Sequence, residues 1–404
     1  MLSKVLLLFA AAGLLSCTGF LLLSLVAAIR FRRPWRACGL TENSVLPRVT
    51  LLKPLCGLEP GLEENLESFF RQDYPAFEIV FGTRDARDPA LDVVRNMQRS
   101  YPHVKTKVVV SGEPDRPNAK VCSLEKMYAA AASNYLVISD SDVRVAPDYV
   151  HEVVAPLLDR RVGLVNCLYR GVPTGGIWSR LEALGMSVEM SSGVIIANLL
   201  EGMKFALGPT MAIRREVLEA IGGFGVLADY CADDYVLGHA VHASGHRVLL
   251  SHHVIDHLAN QRAFKGAILH QVRWMKSTRF SRPKGHIGTG LTFATPFGML
   301  GLAAGLAGGY PQLGLALFFW ALLHAAAMSV VVGWGVVRDP CCLRYCWLYP
   351  VREFMGFCLW CASFAGRNIV WRGLRYRLEF GGRMVRVSSR QPRESAAVAV
   401  DNLA

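Results

Sequence analysis

The chain has 404 residues, is 52% hydrophobic and only 19% charged, and carries a net charge of +12. That length accommodates a large globular unit together with membrane helices. The basic residues cluster beside apolar stretches, at residues 30–36, 270–284 and 367–377, where attraction to anionic lipid headgroups explains them. No zinc finger, basic helix or aromatic-interleaved basic run supports a nucleic-acid partner.

Residues 5–29 hold no charge and suffice to cross a bilayer as one helix. No small-residue cleavage site precedes Arg30, Arg32, Arg33 and Arg36, so an uncleaved anchor over residues 1–36 is expected. The positive-inside rule then places the residues after Ile29 in the cytosol. Residues 47–284 have soluble character. Strands are predicted at 48–55, 77–83, 104–110, 135–139 and 162–168, and helices at 62–71, 90–99, 119–132 and 149–158. That alternation predicts an α/β domain with a largely parallel sheet, whose ligands sit outside the carboxyl ends of the strands.

From 285 to 337 no Asp, Glu, Lys or Arg occurs, enough for two membrane helices broken at Gly308-Gly309-Tyr310-Pro311. A third apolar segment, within 338–387, contains Arg352 and Glu353. As a span it would put residues 367–377 outside, against the charge rule; a re-entrant or surface-lying segment would not. The tail, 388–404, is polar and Ala-rich and is expected to be disordered. The eleven cysteines have no His or Cys partners that complete a zinc pattern, and read as free thiols.

Four places carry chemistry. Asp85 lies on the loop after the 77–83 strand, in reach of a nucleotide, while Asp88 ahead of Pro89 reads as a helix cap. Asp140-Ser141-Asp142 follows a buried strand, and two hard carboxylates one residue apart suit Mg²⁺ or Mn²⁺ and a diphosphate, or form a plain acidic turn. Asp233-Asp234 opens a helical stretch; Asp234 is the candidate general base, or both complement the helix dipole. Gln271, Arg273 and Trp274 stand on an amphipathic basic stretch that could clamp a diphosphate or simply lie at the membrane interface.

Together these resemble the D,D,D,(Q/R)xxRW signature of family 2-like glycosyltransferases. Finer wording resembles the ceramide glucosyltransferase subfamily: Leu51-Leu52-Lys53-Pro54-Leu55, Asp73-Tyr74-Pro75, Asp88-Pro89-Ala90, Ser139-Asp140-Ser141 and Val162-Gly163-Leu164-Val165. The likeness implies a GT-A fold (a Rossmann-like mixed sheet) with flanking transmembrane helices. It also implies a UDP-sugar donor, a membrane lipid acceptor, Mg²⁺ or Mn²⁺, and a single inverting displacement. It would give Asp85 the uridine, Asp140 and Asp142 the metal-diphosphate, and Asp234 the catalytic base. Gln271, Arg273 and Trp274 would form the closing clamp, with Asn118 and Lys120 near the donor.

The animal ceramide enzymes read Asp-Ser-Gly where this chain has Asp140-Ser141-Asp142, and carry a His-Pro aligned near Ser191-Ser192-Gly193. The wording is closer to bacterial hopanoid-biosynthesis glycosyltransferases. A hopanoid polyol or a ceramide is therefore the expected acceptor, glucose or N-acetylglucosamine the sugar, and a bacterial inner membrane the location. A processive polysaccharide synthase shares QxxRW but needs more membrane helices, and a degenerate non-catalytic fold would not keep each acidic position.

Overall fold

The computed structural model describes residues 1–32, 46–261 and 263–387; Arg33, Arg36 and the 388–404 tail lie outside them. Val49–Pro54 (β1), Phe77–Thr83 (β2), Lys105–Val110 (β3), Tyr135–Ser139 (β4), Val143–Arg144 (β5), Val162–Pro173 (β6), Thr210–Arg214 (β7) and Arg247–Ala259 (β8) form one sheet. Its order is β3-β2-β1-β4-β7-β6-β8-β5. The first four strands are parallel, as expected. The sheet becomes mixed beyond them, because β7 runs against both β4 and β6, and β5 against β8.

Strand alternation sorts the core into two layers. Leu52, Val80, Leu136 and Ile138 face one side with Val121, Leu124 and Met127 of helix Ala119–Ala130. Leu51, Ile79, Phe81 and Val137 face the other, under helices Leu62–Phe70 and Ala90–Ser100. The end of the first helix joins the first layer through Ala27, Ala28 and Phe31, which fastens the anchor to the domain.

Among the described residues, helices Leu2–Phe31, Gly176–Glu201 and Pro311–Trp334 are long and apolar enough to cross a membrane. Pro283–Thr289 and Ala294–Gly308, bent by 43°, make a fourth candidate. The Gly176–Glu201 helix lies inside the segment that the sequence presents as soluble. Its apolar window is 67% buried, against 28% for Leu2–Phe31 and 33% for Pro311–Trp334, so protein rather than lipid covers most of it.

Small residues let the other helices approach closely. A Cβ on Gly305 would stand 2.7 Å from Gly314 Cα, and one on Gly13 would meet the Phe297 ring at 2.3 Å. The predicted break is real: Gly309 adopts φ 76° and Pro311 starts the next helix.

Helix Tyr349–Ser363 turns its two charges sideways onto protein partners, although Arg352 Nε and Nη1 have no hydrogen-bond partner among the described residues. Arg352 pairs with Glu189 at 2.8 Å, and Glu353 accepts the Ala294 and Thr295 N–H groups at 3.1 and 2.9 Å, capping the helix that starts there. Beyond it, Asn368–Trp371 (β9), Leu374–Leu378 (β10) and Met384–Arg386 (β11) form an antiparallel sheet. Met384 N–H donates to Asp229 O at 2.7 Å and Cys231 N–H to Gly382 O at 3.1 Å. Residues 367–377 therefore lie against the large-sheet unit.

Candidate active site

The chain leaves β1 toward β2 on one side and β4 on the other, so the β1/β4 carboxyl ends are the topological switch point. Lys53 sits there on β1 with 0% exposure. Its Nζ donates to Asp140 O at 2.5 Å, lies 3.5 Å from Ser139 Oγ and stands 3.7 Å above the Phe69 ring. Burial pulls this ammonium down to about 7 against the pull of Asp140, Asp142 and Glu59. Ser141 Oγ donates to Glu59 at 2.7 Å, so the turn after β4 is held from both ends.

Asp142 Oδ1 is buried and has no hydrogen-bond partner among the described residues, and His257 Nε2 of β8 stands 3.7 Å from it. Tyr169 packs on His257 in a tilted arrangement at 5.0 Å between ring centroids. An uncommitted carboxylate oxygen beside a second carboxylate has the chemistry a hard divalent cation takes, although Asp140 Oδ1 is engaged by Lys120 and no group of three or more His, Cys, Asp or Glu that could hold a metal occurs among the described residues.

Helix Ala119–Ala130 brings up the counter-charge. Lys120 Nζ lies 2.6 Å from Asp140 Oδ1 and 4.0 Å from Asp233 Oδ2. Burial opposes that ammonium, but Asp140 and Asp233 outweigh it and hold Lys120 well above the ordinary lysine range. Asn118 is fully buried and wholly occupied: its oxygen caps Val121 N–H, and its amide donates to Tyr230 O and Asp233 Oδ1. It acts as a strut that sets Lys120 and Asp233.

Asp234 opens helix Asp233–Ala243 and accepts Gly208 N–H and Tyr235 N–H, each at 2.8 Å. Burial, then the neighbouring Asp233, push its carboxyl up to about 6, against Lys120 and those two N–H groups. A half-buried carboxylate with a raised pKa and a fixed orientation is equipped to take a proton near neutral pH.

Helix Phe264–Ser281 covers the opposite side. His270 Nδ1 lies 3.0 Å from Glu182 of the apolar Gly176–Glu201 helix, and its ring packs on Trp274 at 4.3 Å. Gln271 is 3% exposed, yet neither its oxygen nor its nitrogen has a partner among the described residues. Burial depresses Arg273; no carboxylate pairs with it among the described residues, and its guanidinium lies 5.6 Å from the Trp371 ring.

Between the two sides is a cleft of about 230 Å³, whose lining includes Glu59, Lys120, Asp140, Asp142, Arg273 and Trp274. Arg84 lines it, whereas Asp85 is exposed on the loop and accepts Arg87 N–H at 2.8 Å. Asp88 is the expected cap: it accepts Ala90 N–H and also fastens Gly57 N–H.

Residues 15–384 match the model of glycosyl transferase family 21. The chain belongs to that family. It is 26% identical over 368 residues to ceramide glucosyltransferase 1 of Caenorhabditis elegans, covering 89% of this chain and 77% of the relative. Over 101 residues, 24% of this chain and 20% of the relative, it is 41% identical to a ceramide glucosyltransferase of Komagataella phaffii. A mannosyltransferase from Pyrobaculum calidifontis, solved with GDP-mannose and Mn²⁺, shares the fold at a TM-score of 0.51 and 21% identity, covering 87% of this chain and 99% of that one. This family 21 protein is thus a hexosyltransferase with a GT-A sheet and apolar helices, as its sequence led us to expect.

Five side chains at this enzyme's site carry no role in the sequence reading: Lys53, Glu59, Tyr169, His257 and Arg372. Only Lys53 gave a signal, as a lone charge in the apolar run 49–55.

Proposed function

We propose that the enzyme transfers a single sugar, glucose or N-acetylglucosamine, from a UDP-sugar to a hydroxyl of a membrane lipid, a ceramide or a hopanoid polyol, with inversion. One observation carries this reading: an oriented Asp234 with a raised pKa stands next to the Lys120–Asp140 cluster, where the domain meets its apolar helices. Asp234 takes the proton of the acceptor hydroxyl as that oxygen attacks the anomeric carbon and the bond to the diphosphate breaks. Lys120, Arg273 and Gln271 receive the departing diphosphate, and Trp274 packs on sugar or acceptor. A Mg²⁺ or Mn²⁺ held by Asp140 and Asp142 would supply neutralising charge to that leaving group. Asp85, outside the cleft lining, would hold the uridine, with Asn118 bracing the donor side.

The lipid acceptor is supported by Glu182 and His270, which join an apolar helix to the cleft wall. Arg30 and Arg32 at the end of the first helix support a catalytic domain on the cytosolic face, and we place the enzyme in a bacterial inner membrane. Purified enzyme incubated with UDP-sugars and membrane lipids should give lipid bearing one hexose by mass spectrometry. A long polymer, or no lipid product with any UDP-sugar, would overturn the reading.

A further inference from the structure

The sheet β9–β11 lies after the apolar helices in sequence and returns to the catalytic domain. It is fastened there beside the acidic pair Asp233-Asp234: Met384 and Cys231 exchange backbone bonds with Asp229 and Gly382, and Arg383 pairs with Asp229 at 3.2 Å. Lys276 of the Phe264–Ser281 helix donates to Asn368 O at 3.0 Å, so the sheet also grips the helix that carries Gln271 and Arg273.

Trp371 pairs with Leu374, which leaves Arg372-Gly373 as a two-residue turn. Both have positive φ, 48° and 79°. Such turns favour Asn or Gly at the first position, and an arginine there costs backbone energy. Among the described residues only Arg338 shares that feature with Arg372 outside glycine. The side chain lines the catalytic cleft with Glu59, Lys120 and Asp140, and takes part in no hydrogen bond or ion pair among the described residues. A strained position that brings a cation to the cleft, where its charge acts on Glu59 with no close ion pair, is one where strain and site coincide.

We propose that the β9–β10 hairpin is a clamp for the donor, and that the Arg372 guanidinium binds the nucleotide's diphosphate across the cleft from Lys120. This rests on the UDP-sugar reading of the site. A guanidinium fork matches phosphate oxygens, and Trp371 against Arg273 fixes the hairpin to the second cation of the same wall. The substrate class that it recognises is a nucleoside diphosphate, through its phosphates rather than its base.

The turn geometry makes a clean test. Arg372→Gly removes the side chain and suits the positive φ, so the hairpin should fold at least as well. KM for the UDP-sugar and the inhibition constant of UDP should each rise about tenfold, the loss of one charge-assisted contact, while inhibition by uridine stays unchanged. Arg372→Lys should fall between. Arg375→Ala removes a positive charge from the same hairpin away from the cleft lining and should change neither constant. Equal UDP inhibition in wild type and Arg372→Gly overturns the clamp, as does an equal effect of Arg375→Ala. A wild-type enzyme that UDP does not inhibit overturns the donor reading, and the clamp with it.

Discussion

The two sides of the cleft are built to opposite rules. On the sheet side, apart from the unpartnered Asp142 Oδ1 and His257 Nδ1, polar groups are largely spent on one another: Lys53 on Asp140 O, Ser141 on Glu59, Lys120 on Asp140, and Asn118 on Val121, Tyr230 and Asp233. On the helix-and-hairpin side, Gln271, buried behind the cleft lining, has two orphaned amide atoms, Arg273 lacks a carboxylate, and Arg372 makes no hydrogen bond or close ion pair among the described residues, acting on Glu59 only through its charge. Burying the unpartnered Gln271 amide costs free energy that a polar partner can recover, whereas Arg372 is exposed at the cleft. The sheet side is preorganised for chemistry; the other is kept open for binding. Variants on the first should therefore lower kcat, and variants on the second should mainly change ligand affinity and stability.

The largest effect is expected at Asp234. Asp234→Asn keeps the shape but cannot take a proton, and kcat should fall roughly a thousandfold, within the range for general-base loss, with little change in KM. In the wild type the base works only when ionised. Its pKa is raised to about 6, so kcat should be flat above that value and fall about tenfold per pH unit below it. Rate measurements from pH 4.5 to 8 check this. A profile that stays flat down to pH 5 would remove Asp234 as the base. Next in size is Asp140→Asn, which should lower activity on the order of a hundredfold at low Mn²⁺ and recover partly as Mn²⁺ rises. Loss without any dependence on the metal would show that Asp140 acts only through Lys120.

The sheet side was also the more legible one. Strands 77–83 and 135–139 match their predicted bounds because they are apolar runs that end sharply in charged or turn residues. β7, Thr210-Met211-Ala212-Ile213-Arg214, escaped notice because it has few β-branched or aromatic residues, and β8 because it contains His252, His253, Asp256 and His257, which break any apolar alternation. Those polar residues are there partly for the site: His257 faces Asp142. The β9–β10 hairpin was hidden by its arginines, although Ile369, Tyr376 and Leu378 turn inward as a strand pattern demands. Motif spacing singled out Asp140, Asp142, Arg273 and Trp274, and the family resemblance Lys120; these five line one cleft, whereas Asp234 and Gln271 do not line it. Neither could show that Asn118 is a buried strut or that Asp85 stands outside the cleft lining, since burial depends on contacts far away in the chain.

Lys53 sharpens the contrast from the sheet side. Lys53→Met keeps much of the volume, removes a buried ammonium and frees Asp140 O. Deleting a buried charge that has no directly paired carboxylate should leave the melting temperature near that of wild type. The Asp140-Ser141-Asp142 turn, however, would lose its brace. kcat should fall about tenfold, a cost of roughly 1.4 kcal/mol in transition-state stabilisation. Unchanged kcat would reduce Lys53 to core packing.

The smallest effect tests the other side. If the Gln271 amide is truly unpaired in the resting enzyme, Gln271→Leu replaces an orphaned polar group with an apolar one of similar size. It should raise stability by about 1 kcal/mol, the lower end of the cost of an unsatisfied buried amide. The same change should weaken UDP binding several-fold if closure on the donor brings this buried amide, which lies behind the Arg273 and Trp274 lining, to the diphosphate. Stability and affinity would then move in opposite directions in one variant. Denaturant titration and UDP inhibition on the same preparation read both. A destabilised Gln271→Leu would mean that the amide already has a partner in the free protein, and the division between a spent side and an open side would fail at the residue where it is most exposed to test.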